Sequence, residues 1–144
     1  MSDTPRSVLD TNIVVAALLW NGPPRRLLQS AIDEKLRLYS SRTLIDELTR
    51  TLARGKFAKR IALHDTSADS LIEDYLGLAE LVVPASVPRI CRDPDDDHVI
   101  ACAIAARAEI IVSGDRDLLD LGRYGDVRIL SAASAAAEIE ARRG

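Results

Sequence analysis

Acidic side chains are the residues of this sequence best placed to do chemistry. Six aspartates fall between positions 91 and 117, in two knots, Asp93/Asp95/Asp96/Asp97 and Asp115/Asp117, with an almost unbroken apolar run between them. Carboxylates at both ends of a core-like segment are costly to bury unless a cation, a proton or open water neutralises them. Asp10 follows the apolar Val8-Leu9, and Asp115 follows Ile110-Ile111-Val112 after a Ser-Gly step. In open parallel sheets, ligands bind just beyond the carboxyl ends of the strands. One such Asp reads as an ordinary helix cap or turn former; two in the same sheet point to a site.

Glu47 lies between Ile45 and Leu48, on the inner part of a helix that Ser41 caps, while Asp46 takes the solvated face. Asp97 stands one residue short of Val99-Ile100-Ala101, where an acid in the first helical turn complements the macrodipole. Four acids within five residues exceed what one helix start needs. If Asp10, Glu47, Asp97 and Asp115 converge, two like charges about 5 Å apart at an effective dielectric of about 20 repel by roughly 3 kcal/mol. Several such pairs rival a domain's whole stability of about 5–15 kcal/mol. Either some pKa values rise or a divalent cation sits among them. Oxygen-only ligands suit the hard ions Mg²⁺ and Mn²⁺, and two such ions clamp the attacking and leaving oxygens of a phosphodiester displacement.

The elements that must position these acids alternate. Strands are predicted over 7–9, 36–40, 81–84, 109–112 and 127–130. Helices are predicted from about 13, with Thr11 or Asn12 as cap, over 25–34 behind Pro24, and from Ser41 to Leu52. A turn or two follows Gly55, and a longer helix begins at Asp65 or Thr66. A buried, alanine-rich helix spans 95–108, a short one lies near Leu118, and Ser131 opens the last. This alternation predicts a single three-layer α/β/α domain over residues 1–144, with a central parallel sheet of four to five strands.

Bulk composition narrows the function. A chain of 144 residues suits one well-buried domain. Hydrophobic residues make up 47% and charged residues 28%, ordinary values for a globular protein. Aromatics are only 3%, which leaves an aliphatic core and few rings for stacking bases. The net charge of -3 excludes a general polycation but not a local basic patch. Cys91 and Cys102 form no disulfide framework and no metal-ligand spacing, as expected of buried thiols in a reducing cytoplasm. The first residues carry no signal pattern, and the apolar run 13–20 is too short to span a membrane.

Four ordered pieces, Val8-Leu9-Asp10-Thr11-Asn12, Ser41-Arg42-Thr43-Leu44-Ile45-Asp46-Glu47-Leu48, Cys91-Arg92-Asp93-Pro94-Asp95-Asp96-Asp97 and Ile111-Val112-Ser113-Gly114-Asp115-Arg116-Asp117-Leu118-Leu119, resemble those of the PIN-domain nucleases. The resemblance is greatest to the branch of toxin components of toxin–antitoxin systems (VapC-like), and it covers nearly the whole chain. It implies that Asp10, Glu47, Asp97 and Asp115 are the catalytic, metal-binding quartet. It further implies that Asn12 orients Asp10 or a water, that Asp117 is a second-tier acid, and that Ser113 replaces a common Thr while keeping its hydroxyl. Asp93, Asp95 and Asp96 are left with turn, cap or supporting work. The implied activity is Mg²⁺- or Mn²⁺-dependent cleavage of RNA by a metal-activated water, with a homodimer and a small antitoxin as partners.

Arg42, Arg50, Arg54, Lys56, Lys59 and Arg60 form a basic run against only Asp46 and Glu47. It has three readings: a track for RNA phosphates, in which Arg42, Arg50 and Lys56 are the expected contacts, a solvated helix face, or a docking surface for an acidic antitoxin segment. His98 and His64 are expected to stand apart from the chemistry. The rival functions are a catalytically silent module of the same fold, an RNA-processing nuclease that is not a toxin, and an aspartate-nucleophile phosphohydrolase. The last wants a second Asp where Asn12 stands. No GxxxxGK loop is present for nucleotide binding.

Overall fold

The computed structural model describes residues 4–89 and 91–142. β1 (Arg6–Leu9) runs straight into α1 (Thr11–Leu19). Asp10 is extended, its carbonyl accepts from Ile13 N and Val14 N, and its side chain accepts from Thr11 N. The cap is therefore Asp10 and not Thr11 or Asn12, because no loop residue separates strand from helix. α2 (Pro23–Ile32) starts two residues before the expected position, behind Gly22 at φ 124, a conformation that favours glycine. After β2 (Arg37–Ser40) comes α3 (Arg42–Leu52), whose N-cap Ser41 accepts from Leu44 N at 3.3 Å.

α4 (Gly55–Leu63) is a nine-residue helix where a turn or two was expected. Gly55 opens it instead of interrupting it, since the extended Arg54 makes the break. α5 (Ala68–Leu78) is capped by Ser67, not Asp65 or Thr66, and passes directly into β3 (Ala79–Leu81). That strand lies two residues earlier than predicted because its register is set by β2, with Leu38 opposite Ala79 and Ser40 opposite Leu81. α6 (Pro94–Ala106) is capped by Asp93 and closed by Arg107 at φ 53. β4 (Ile110–Val112), α7 (Arg116–Leu121), β5 (Arg123–Tyr124), β6 (Val127–Leu130) and α8 (Ala132–Ala141) complete the order.

The sheet has the order β3-β2-β1-β4-β6-β5. Five strands are parallel, as expected, and the two-residue β5 adds an antiparallel edge to β6. Side chains alternate between its faces. Leu9, Leu38, Ile110 and Val112 join a core built with α1, α2, α3, α5 and α8. Val8, Tyr39, Ile111 and Ile129 join a second core built mainly with α6 and α7. The chain is thus a three-layer α/β/α fold. No described helix is long and apolar enough to cross a membrane.

Ser41 is fully buried at the hinge between β2 and the helix that carries Glu47. Replacing it with Ala removes the only side-chain acceptor at the α3 N-terminus among the described residues. Ser41→Ala should lower stability by about 1 kcal/mol, the usual cost of a lost cap, read as a shift in urea midpoint at constant slope.

Candidate functional site

The strand order reverses at β1: the chain moves outward to β2 and β3, then returns to place β4 on the other side. Connections that diverge at such a point leave a crevice beyond the carboxyl ends of the strands. Asp10 N donates to Val112 O (2.9 Å) and Ser113 N to Leu130 O (3.0 Å), so both residues sit where the ladder ends. A cleft of about 550 Å³ opens there. Its carboxylate lining comes from Asp10, Glu47, Asp93, Asp95, Asp96 and Asp115, with Asn12 beside them.

Asp10 is held from two sides. Thr11 N donates to Oδ1 (2.8 Å) and Ser113 Oγ donates to Oδ2 (2.8 Å). Ser113 Oγ in turn accepts from Asp115 N at 2.9 Å, so one hydroxyl joins the two strand ends. The expected hydroxyl of Ser113 is therefore in use, whereas no described hydrogen bond joins Asn12 to Asp10. Asp115 caps α7, its Oδ1 accepting from Asp117 N (2.9 Å) and Leu118 N (3.2 Å). Glu47 reaches the cleft from the middle of α3 and accepts a hydrogen bond from Thr11 Oγ1.

The fourth acid is not the expected one. Asp97 turns away from the cleft: its Oδ1 accepts from Cys91 N at 2.9 Å, and its Oδ2 stands 3.6 Å from Arg89 Nε. It ties the segment before α6 to the helix. Asp96, assigned only supporting work by the sequence, faces the cleft instead, 5% exposed. One carboxylate oxygen from each of Asp96, Asp115 and Asp117 lies within 4.8 Å of the others. Asp93 caps α6, accepting from Asp95 N at 3.0 Å, and Asp95 stands close enough to Glu47 to raise its pKa.

Helix phase explains the exchange. Asp96 shares a face with Val99, Ile100 and Ala103, three and four positions on and then seven. All three are fully buried against the sheet. That signal was present in the sequence, but a helix apolar nearly all round conceals which face is inner.

The electrostatics record the crowding. Burial raises the Asp96 carboxyl to about 7, helped by the charges of Asp115 and Asp10. Burial also raises Asp10, against the opposing bonds from Ser113 and Thr11 and with Asp115 and Asp93 reinforcing it. Glu47 is raised by burial first, with the Thr11 bond opposing and Asp95 and Asp10 adding. Asp96 Oδ2 is buried with no hydrogen-bond partner among the described residues. An orphaned carboxylate oxygen costs upwards of about 1–3 kcal/mol. Such an oxygen in an all-oxygen donor set fits a hard divalent cation.

Other expected residues fall outside this group. Of the expected RNA contacts, Arg50 lines the cleft; Arg42 and Lys56, exposed on α3 and α4, do not. Arg54 and Arg116 line it instead. His64 Nε2 lies 2.8 Å from Leu19 O, and His98 Nδ1 lies 3.7 Å from Asp95 Oδ1, near the cleft mouth. Cys91 and Cys102 are buried free thiols, each pushed up to about 12 chiefly by burial, so neither offers a thiolate.

Comparison with known proteins bears on the fold. The sequence profile of the PIN domain matches residues 6–117, a span that holds every acid of the cleft. "Uncharacterized protein MJ1680" of Methanocaldococcus jannaschii is 29% identical over 115 residues, covering 79% of this chain and 73% of that protein.

Proposed function

Because this chain belongs to the PIN-domain family, we propose that it is a metal-dependent endoribonuclease serving as the toxin of a type II toxin–antitoxin system. The PIN fold is a metal-dependent nuclease fold, and a buried acidic group stands in its cleft. The observation that carries the reading is that Asp10, Glu47, Asp96 and Asp115 line one cleft, in which an Asp96 carboxylate oxygen is buried without a hydrogen-bond partner among the described residues. Asp96 thus replaces Asp97 in the proposed quartet, with Asp117 and Asp93 at its edge.

These four carboxylates would hold Mg²⁺ or Mn²⁺. When bound, such an ion polarises a phosphodiester and lowers the pKa of water. The protein's own groups do the positioning. Ser113 Oγ and Thr11 N fix the Asp10 carboxylate, and two α7 N–H groups fix Asp115. Arg50, Arg54 and Arg116 line the same cleft and bring positive charge to where a phosphate must lie. RNA as substrate, the toxin role, a small antitoxin and a homodimer rest on the likeness of the four motifs to the toxin branch. Two free cysteines accord with action in a reducing cytoplasm.

The test is cleavage of labelled single-stranded RNA, with DNA of the same sequence alongside. RNA should be cut internally with Mg²⁺ or Mn²⁺ and left intact with EDTA, and Asp10→Asn should be silent. No cleavage of RNA under any divalent metal would reduce the protein to a silent module of the fold. Cleavage without growth arrest on expression would make it a processing nuclease.

A further inference from the structure

The arginine wall of the cleft continues onto a second surface. Arg50 lies in the last turn of α3 and Arg54 is the N-cap of α4; both line the cleft. Phe57 N bonds to Arg54 O at 3.0 Å, and the Phe57 ring stands edge-on to Trp20, with centroids 6.2 Å apart. Lys56 Nζ lies 5.1 Å from the Phe57 centroid, and Arg60 Cζ lies 4.9 Å from that of Trp20. Arg60 Nε also donates to Leu19 O at 2.8 Å, which pins α4 to the end of α1. The cleft and the tryptophan therefore share one continuous corner.

Two features point to an anionic, stacking ligand there. Arg50, Arg54, Lys56 and Lys59 have no ion-pair partner among the described residues, whereas Arg26, Arg128 and Arg142 are each paired with a glutamate. In a chain of net charge -3, four unneutralised cations on one corner make a local anion surface. Trp20, the chain's single tryptophan, is 41% exposed while a guanidinium stacks against it. Arg-backed indoles are stacking platforms for bases.

Resting on the ribonuclease reading, we propose that this α3–α4 corner holds the single-stranded flank of the RNA where it leaves the cleft. Arg50, Arg54, Lys56 and Lys59 contact phosphates, and the Trp20 indole stacks one base. The acidic segment of a protein partner would meet the same charges. Continuity favours the substrate, because Arg50 and Arg54 belong to the cleft that the RNA backbone must enter.

The test uses a labelled RNA of about 16 nucleotides, the upper end of a usual single-strand site, and fluorescence polarisation in EDTA. Lys56→Ala/Lys59→Ala should bind about tenfold more weakly, and its slope of log K against log salt should shrink by about 1.4, two contacts at about 0.7 each. Trp20→Leu should also weaken binding about tenfold, with the slope unchanged. In cleavage assays both variants should raise KM for the long RNA at constant kcat, and cut a dinucleotide like the parent. Parental affinity and slope in the double variant would overturn the track, and so would loss of a protein partner with RNA binding intact. RNA that binds with these differences but is never cut with Mn²⁺ sinks the ribonuclease reading and leaves the track. RNA that is cut, with variants binding like the parent, does the reverse.

Discussion

Asp96→Asn should cut nuclease activity severely while Asp97→Asn leaves it nearly intact. The two residues are adjacent in the first turn of α6, yet their carboxylates have separate work. Asp96 faces Asp10 and Asp115 in the cleft, with one oxygen unpartnered among the described residues. An amide there removes the charge and turns one ligand oxygen into a donor. The expected loss in kcat is on the order of 10²–10³-fold, comparable to removing one preorganised electrostatic group from an active site. Asp97→Asn keeps an oxygen that can accept from Cys91 N and, among the described residues, weakens the partly exposed contact with Arg89. That should cost no more than about 1 kcal/mol of stability and little activity. Single-turnover cleavage of RNA by the two variants decides between them; loss in Asp97→Asn with Asp96→Asn still active would return the quartet to the form expected from the sequence.

The same carboxyl should make the metal-free protein lose stability as pH rises. In the folded state Asp96 titrates at about 7, above its ordinary value of 3.8. Between those values the folded protein holds a proton that the unfolded chain has released. Stability from this group is therefore full below pH 4 and is lost as pH climbs through about 7. Asp10 and Glu47, both raised, act in the same direction. Glu138 and Glu140, lowered by Arg128 and Arg26, act in the opposite direction at the acid end. Comparing the parent with Asp96→Asn isolates the contribution. The two should melt together near pH 4, and the variant should pull ahead above pH 7. Saturating Mn²⁺ should reverse the order at pH 8. At about 100 times Kd it adds about 2.7 kcal/mol to the parent, which is about 8–10 °C for a domain of this size.

Much of the fold was legible because the main strands are short apolar runs closed by Asp, Ser, Gly or Pro, and the helices are longer and mostly capped by a side chain. Asp10 and Asp115 were legible for the same reason, as acids at strand ends. What escaped notice depends on tertiary geometry. The sheet order is set by which connections cross over, and no local pattern encodes that. β5 is two residues long and exists because Gly125, at φ 58, folds residues 123–124 back onto β6. β3 is placed by its pairing with β2 and not by its own most apolar residues, so Val83 is left 87% exposed. Asp95, Asp96 and Asp97 differ by successive rotations of about 100° around one helix. Only the packing of α6 on the sheet decides which of them looks into the cleft.

The central claim is that the carboxylates gathered around Asp96 form a divalent-cation site. Calorimetric titration of Mn²⁺ into the metal-stripped protein at pH 7.5 tests it most directly. Saturable binding should appear in the parent and in Asp97→Asn and vanish in Asp96→Asn. Binding by Asp96→Asn as tight as that of the parent would contradict the account.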